Sequence, residues 1–451
     1  MTTPSAVQDT IVANATPAGR GAISIVRLSG PAVANIAEQI SGSLPKPREA
    51  VLKTLHDQSG LAFDQAIVIF FAAPNSYTGE DMLEIQTHGG HAIVSICLQT
   101  CINAGARLAR AGEFSERAFL NNKLDLLQAE AVADLIAASS ERAARSAFNA
   151  MRGSFSDEVN ALSEQLKSIR VEVEASIDFP EEEIPLPTVE AWLASINVLH
   201  QNLGQLIANA RKGMKLNNGI EIAIVGSPNV GKSTLLNQFA REDKAITSDI
   251  PGTTRDVVSV DVEHKGLLIR FHDTAGLREQ TADQIEAEGI RRTKKVINEV
   301  DLCLVLRDAT AGLADHSEQL NVPLETQKIN VWNKIDIAQL APKTTNNGDE
   351  IDCYLSARTG EGVAQLWDLI VELSGLNGED ESPYIARERH LSILISVQEL
   401  LQTQDVGEVL QSTELLAENL RLALKLLGEL IGEYTNEDLL GDIFSTFCIG
   451  K

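Results

Sequence analysis

Eight consecutive residues, Gly226-Ser227-Pro228-Asn229-Val230-Gly231-Lys232-Ser233, have the types and spacing needed to hold a polyphosphate. The glycines let the backbone curl so that successive N–H groups point inward, and the start of a following helix adds positive potential. Lys232 offers a cation to β- and γ-phosphate oxygens, and the Ser233 hydroxyl suits Mg²⁺. The surroundings fit. EIAIV at 221–225 reads as a short buried strand, and TLLNQFA, starting at Thr234, reads as a helix.

The downstream spacing narrows the ligand. LLIRFHDTAG reads as a strand ending in Asp273-Thr274-Ala275-Gly276; Asp273 would hold Mg²⁺ through water, and the Gly276 N–H would sense the γ-phosphate. VDLCLVLRD reads as another buried strand. INVWNKID puts Asn333-Lys334-Ile335-Asp336 at a strand's C-terminal end, where such sheets bind ligands. Asp336 can accept two hydrogen bonds from guanine, from the ring N–H and the exocyclic amine. Adenine has neither donor there, so GTP is the expected nucleotide. Ser356-Ala357-Arg358 supplies the last guanine-contacting turn. Where many GTPases carry a water-orienting Gln, this chain has Leu277, so another group must do that work. Arg278–Gly289 offers Glu279, Glu286 and Glu288, each otherwise an ordinary charge on a solvated helix face.

These motifs need elements to position them. Residues 220–377 alternate strand-like and helix-like segments, as a parallel α/β sheet does. Residues 1 to about 120 read as mixed α/β, with β-type runs at Ile23–Leu28 and Gln65–Phe71 broken by turn clusters. From about Leu124 the chain becomes Ala- and Leu-rich, and Leu124, Leu127, Ala131, Leu135 and Ala138 fall on one helical face. Helices are expected over Phe155–Ile177 and Val189–Arg211, the first stopped by DFPEEEIPLP. Beyond an acidic linker at Asn377–Ser382, Leu416, Leu420, Ala423, Leu427 and Leu430 form one stripe. An α/β unit flanked by helical sequence suggests insertion into a helical domain, with the flanking helices packed together; two separate bundles are the alternative.

Bulk properties set limits. The 451 residues allow roughly two to four domains. A net charge of −25 argues against a general nucleic-acid binder, which needs clustered Lys and Arg. Five cysteines without regular metal spacing read as reduced thiols of a cytosolic protein. The His88/His91 pair lies in a Gly-rich loop without a third ligand, a poor metal site. The N-terminus has no signal- or transit-peptide pattern, and no apolar run is long enough for a membrane span.

With these residues in view, the chain closely resembles the MnmE (TrmE) family of bacterial tRNA-modification GTPases, part of the TrmE-Era-Septin-like class. Outside the GTPase motifs the resemblance rests on ATPAGRGAISIVRLSG, PNSYTGEDMLEIQTHGG, GEFSERAFLNNKLDLLQAEAVADLI and the terminal FCIGK, so it covers essentially the whole chain. It implies an α+β folate-binding and dimerisation domain (1–121), a helical bundle domain (122–216 and 378–451) and a Ras-like P-loop G domain inserted into it (217–377). It also implies a homodimer that works with the flavoprotein MnmG, in a heterotetramer, on tRNA. FAD enters only through that partner. The joint reaction adds an aminomethyl or carboxymethylaminomethyl group at C5 of the wobble uridine, with a 5-formyl- or 5,10-methylene-tetrahydrofolate donor.

Residue by residue, the resemblance implies GTP contacts from Asn229, Val230, Gly231, Lys232, Ser233 and Thr234, and from Ser248-Asp249-Ile250-Pro251-Gly252-Thr253-Thr254. The DTAG, NKID and Ser-Ala-Arg turns complete that set. Asn229, Ser248, Ile250 and Thr253 match K⁺-ligand positions; Ser233 and Thr254 match Mg²⁺-ligand positions. A bound cation can replace the charge of an arginine finger. Glu286 matches the water-orienting Glu and answers the problem posed by Leu277. Arg27, Glu84, Lys123 and Lys451 match folate contacts, and Cys448 matches the near-terminal Cys of the C-[ILV]-G-K signature, a candidate for the one-carbon chemistry. Ala111 and Ser248 depart from the usual Pro and Thr. The rival reading is a regulatory GTPase switch in ribosome or RNA assembly, which has no use for a folate pocket.

Overall fold

The computed structural model describes residues 9–17, 19–179, 187–242, 244–245, 259–273, 300–311, 326–346, 348, 350–376, 384–402, 412–434 and 437–450. They form two compact units, one of residues 1–133, 151–200 and 396–451, the other of residues 134–150 and 201–395.

In the first unit, β1 (Thr10–Asn14), β2 (Ile23–Ser29), β3 (Val51–His56), β4 (Ala62–Phe71), β5 (Met82–His88) and β6 (Ala106–Leu108) form one sheet in the order β3-β4-β5-β2-β1-β6. Strand alternation turns Val26, Leu28, Val68, Leu83 and Ile85 to one face. There they pack with Ile36, Ile40, Cys97 and Cys101 of the helices Val33–Ser41 and His91–Asn103. The expected strands are present, with β4 starting three residues earlier than the sequence reading.

The Ala-rich stretch after 124 is two helices, Leu126–Ala137 and Glu141–Met151. Leu124 precedes the first because Asp125 caps it. The Gln128 N–H donates to Asp125 Oδ1 at 2.8 Å and the Asp125 N–H to Gln128 Oε1 at 3.0 Å, a reciprocal capping box. The helix Ser154–Asp178 packs against Thr413–Ile431, whose expected stripe, Leu416, Leu420, Ala423, Leu427 and Leu430, is buried throughout. The flanking helices therefore pack together. The helix Val189–Asn218 runs seven residues past its expected end, because Lys215 Nζ reaches the Ser374 carbonyl at 3.1 Å and Leu216 joins the neighbouring core.

In the second unit, β7 (Ile220–Gly226), β8 (Lys244–Ala245), β9 (Ser259–His264), β10 (Leu267–Asp273), β11 (Leu302–Asp308), β12 (Gln327–Asn333), β13 (Lys343–Asn346) and β14 (Ile351–Tyr354) form a sheet ordered β13-β14-β12-β11-β7-β10-β9-β8. The five central strands are parallel, as the alternation implied; the edges β13, β9 and β8 are antiparallel, which the sequence reading did not foresee. One sheet face packs Ile222, Leu304 and Val331 on Leu235 and Phe239 of the helix Lys232–Glu242 and on Leu366 and Ile370 of Val363–Ser374. No helix among the described residues is long and apolar enough to cross a membrane.

The first unit also buries charge. Arg117, 2% exposed, bonds Asp9 at 2.8 Å, Glu113 at 3.0 Å and Glu80 at 3.1 Å, while Arg107 pairs with Asp9 and Glu113. Burial works to raise the Glu113 carboxyl, but hydrogen bonds from Arg107, the Arg110 N–H and Arg117 overcome it and hold it at about 2, against an ordinary 4.5. A depressed carboxylate contributes stability above its unfolded value and loses it as pH falls through the folded one. Acid unfolding of this unit should therefore steepen between about pH 4.5 and 2. In Glu113→Gln that acid limb should flatten and the neutral-pH melting temperature drop; an unchanged acid limb by circular dichroism would assign it to other carboxylates.

Candidate functional site

The phosphate loop turns out of β7 at Gly226 and enters the helix at Lys232. Three residues of the loop have positive φ, Gly226 at +153°, Asn229 at +62° and Gly231 at +105°. Gly231 must be glycine. A Cβ there would lie 2.3 Å from Asn333 Nδ2. Lys232 is buried, and its ammonium donates to the carbonyls of Gly226 at 2.7 Å and Ser227 at 3.0 Å, which folds the cation back over the loop. Asn229, Ser233 and Thr234 are exposed along the crest, and Val230 is buried in the core beneath them. The Ser233 hydroxyl takes no hydrogen bond among the described residues, which fits a metal-ligand position.

Asn333 ends β12 and is 3% exposed. Its Nδ2 donates to the Val230 carbonyl at 2.8 Å, and its Oδ1 accepts from the N–H groups of Lys334 at 2.8 Å and Ala357 at 2.9 Å. One carboxamide thus joins the phosphate loop, the NKID turn and the Ser356-Ala357-Arg358 turn. Ile335 is buried and its N–H donates to the Leu355 carbonyl at 3.3 Å. Ser356 is buried and braces its own turn by accepting from the Thr359 N–H at 3.2 Å; Arg358 is exposed. The Asp336 carboxylate is half-buried and accepts no hydrogen bond among the described residues, so both oxygens are available to a donor edge. The sequence reading did not single out Asp308, which pairs with Lys334 at 2.7 Å. Its place at the end of a buried strand, the position where such sheets bind ligands, was the available signal.

Asp273 closes β10. Ser248, Asp249, Ile250, Pro251, Gly252, Thr253, Thr254, Thr274, Ala275, Gly276, Leu277, Glu286 and Lys451 lie outside the described residues.

In the first unit, Arg27 and Glu84 are direct cross-strand partners on β2 and β5. Arg27 donates two bonds to Glu84, at 2.8 and 3.1 Å, both to Oε1, and no donor among the described residues engages Oε2. The guanidinium lies 5.8 Å from the ring centroids of Tyr77 and Phe114, two aromatic neighbours the sequence reading missed. Lys123 Nζ donates to the Pro74 carbonyl at 3.0 Å, on the loop that carries Tyr77. The C-terminal peptide returns to the same place. The Gly112 N–H donates to the Cys448 carbonyl at 3.4 Å, Ile449 bridges Ala111, and Arg27 Nη1 donates to the Gly450 carbonyl at 3.4 Å. Gly450, at φ +94°, passes so close to β1 that a Cβ would meet the Asn14 carbonyl at 2.6 Å. Cys448 is exposed, whereas Cys97, Cys101, Cys303 and Cys353 are buried, and burial pushes the Cys303 and Cys353 thiols up to about 12.

A Gly-Lys-Ser loop between strand and helix, tied through a buried Asn to an NKID turn on a mostly parallel sheet, defines a G domain of the P-loop class. A family profile described as GTP-binding protein TrmE N-terminus matches residues 10–123, and one described as MnmE helical domain matches residues 126–448. The chain is 45% identical over 448 residues to the tRNA modification GTPase MnmE of Nitrosomonas europaea, covering 98% of this chain and 99% of that one. It is 44% identical over 452 residues to the same protein of Proteus mirabilis, covering 98% and 99%, and 44% identical over 444 residues to that of Neisseria meningitidis, covering 98% and 99%. The chain belongs to the MnmE family.

Removing the Asn333 carboxamide strands the Val230 carbonyl and the Lys334 and Ala357 N–H groups. Asn333→Ala should cost roughly 3 kcal/mol of stability and abolish measurable binding of a fluorescent GDP analogue. A melting temperature within a degree or so of the parent would mean that the three loops hold their shapes without it.

Proposed function

We propose that this protein is a K⁺-activated GTP hydrolase that acts in the cytoplasm with a flavoprotein partner, MnmG, on tRNA. Together they add an aminomethyl or carboxymethylaminomethyl group at C5 of the wobble uridine, taking one carbon from a tetrahydrofolate derivative. The observation that carries the reading is the Asn333 knot of phosphate loop and purine-reading turns, in a chain whose Gly450 carbonyl accepts from Arg27, the cross-strand partner of Glu84. We assign residues 1–121 to folate binding and dimerisation, 122–216 and 378–451 to the helical domain, and 217–377 to the G domain.

In hydrolysis, water adds to the γ-phosphorus, the bond to the β–γ bridging oxygen breaks, and GDP leaves with that oxygen as inorganic phosphate forms. The loop N–H groups and Lys232 hold the phosphates, Asp336 reads guanine by its donor edge, and Glu286 orients the water that Leu277 cannot. Asn229, at the exposed crest in left-handed backbone, suits a K⁺ ligand together with Ser248, Ile250 and Thr253; Ser233 and Thr254 would hold Mg²⁺. When bound, these cations supply positive charge at the phosphates.

The Arg27–Glu84 pair fits a folate. Glu84 Oε2, unengaged among the described residues, suits the guanidine-like edge of a pterin, and the Tyr77 and Phe114 rings lie against Arg27. Lys123 and Lys451 suit the glutamate tail. Cys448, exposed and two residues before Gly450, is assigned to the one-carbon step.

GTP turnover should rise at least tenfold in K⁺ over Na⁺, and Asn229→Ala should erase the difference; equal parental rates in the two salts would remove the K⁺ assignment. Cells lacking this protein should lose the C5-modified wobble nucleoside by mass analysis, and Glu84→Ala should fail to restore it while hydrolysing GTP. Retention of the modification in the deletion strain would overturn the tRNA reading.

A further inference from the structure

We propose that Asp308 is a positioning residue for guanine binding: it fixes the Lys334 ammonium and thereby holds the NKID turn in the shape that receives a purine edge. The inference rests on GTP as the ligand of this site. Asp308 and Asn333 end adjacent parallel strands and lie opposite one another in the β11–β12 ladder. Asp308 Oδ2 takes the Lys334 ammonium at 2.7 Å, while Oδ1 accepts from the Thr310 N–H at 2.9 Å and the Thr310 hydroxyl at 2.6 Å. The carboxylate cannot swing away without losing all three bonds. Beside it the Ala309 N–H donates to the Asn333 carbonyl at 2.9 Å, so residues 308–310 grip the turn by backbone as well.

The turn needs gripping. Lys334 has φ +70°, a left-handed backbone that a residue with a long side chain adopts only when its surroundings impose it. Burial disfavours charge on Asp308, yet hydrogen bonds from Lys334 and Thr310 outweigh it and hold the carboxyl below the usual carboxylate range. The Asp308 carboxylate is therefore ionised at neutral pH. It ties down the Lys334 side chain, two residues before Asp336 in the same turn.

Arg307, Trp332 and Tyr354, each one residue upstream of a loop, form a row across the sheet that Lys343 of β13 extends. Arg307 opposes Trp332, Trp332 opposes Tyr354, and Tyr354 opposes Lys343. The Trp332 and Tyr354 rings stack at 5.9 Å and 10°, the Arg307 guanidinium covers Trp332 at 5.5 Å, and Lys343 Nζ covers Tyr354 at 4.6 Å. Neighbours cover the ring faces, so the row buttresses the roots of the Asp308, Asn333 and Leu355 loops and offers no stacking surface to a base. Asp308 thus works from a braced position.

The test is a titration of the full-length protein with a fluorescent GDP analogue, together with steady-state GTP turnover. Asp308→Ala should weaken binding about tenfold, the loss expected for one charge-assisted hydrogen bond. KM for GTP should rise in proportion while kcat moves far less. Asp308→Asn, which can still accept from Thr310, should recover part of the affinity, and Asp308→Ala should add little in a Lys334→Met background. Unchanged affinity in Asp308→Ala, a fully additive loss in the double variant, or a fall in kcat at constant KM overturns the proposal. Should Asp308→Ala not fold, Asp308→Asn alone and combined with Lys334→Met gives the same readout. Failure of the parent protein to bind the GDP analogue would overturn the GTP reading itself.

Discussion

The Asn333 carboxamide is the contact on which the nucleotide half of this molecule depends. An amide has one acceptor oxygen with two lone pairs and two donor hydrogens. Here both lone pairs and one hydrogen are engaged, each by a different loop or turn. In a site 3% exposed no water can stand in for a missing partner, and an unsatisfied buried group costs about 1–3 kcal/mol. Side chain and loops therefore fix one another. The demand reaches back a hundred residues: Gly231 has no side chain because Asn333 Nδ2 stands where a Cβ would be. A phosphate-holding loop and a base-reading turn, each a common device, are joined into one site by this bond.

The first unit uses a different constraint. Arg117 lies beneath the loop that carries Tyr77, paired with Asp9, Glu80 and Glu113. Glu80 Oε2 also accepts from the Ser29 hydroxyl at 2.7 Å, and that hydroxyl meets Thr78 at 2.7 Å. A buried charge cluster is weak evidence for stability, since desolvation opposes it. Its effect here is geometric. It holds the Tyr77 loop against β2 while Arg27, on the same strand, reaches Glu84 and the last turn of the chain.

Motifs that act through local backbone were legible in the sequence. Gly226–Ser233 and NKID announce themselves because strand, turn and helix are set by neighbours along the chain. The stripe at Leu416–Leu430 was equally clear, being a helical repeat. What escaped was tertiary. Asp308 matters only because β11 lies beside β12, and Arg27 meets Glu84 through a register that pairs residues 57 apart. The helix ends moved for similar reasons: Asp125 capped one late, and contacts of Lys215 and Leu216 carried another past its expected stop. The antiparallel edges of the second sheet have no signature short of the pairing itself.

Charge placement bears on how such a protein could meet RNA. Net charge is −25, and many of its 38 basic residues are tied internally. Arg27, Arg107, Arg117, Arg270 and Arg387 all pair with carboxylates of their own unit. A guanidinium held by a carboxylate has little left for a phosphate, and each phosphate contact needs a cation that can displace counterions. Lys334 is held in the same way, by the Asp308 carboxylate. Under the proposed function, a tRNA substrate would therefore be gripped largely by the partner, with this chain contributing nucleotide turnover.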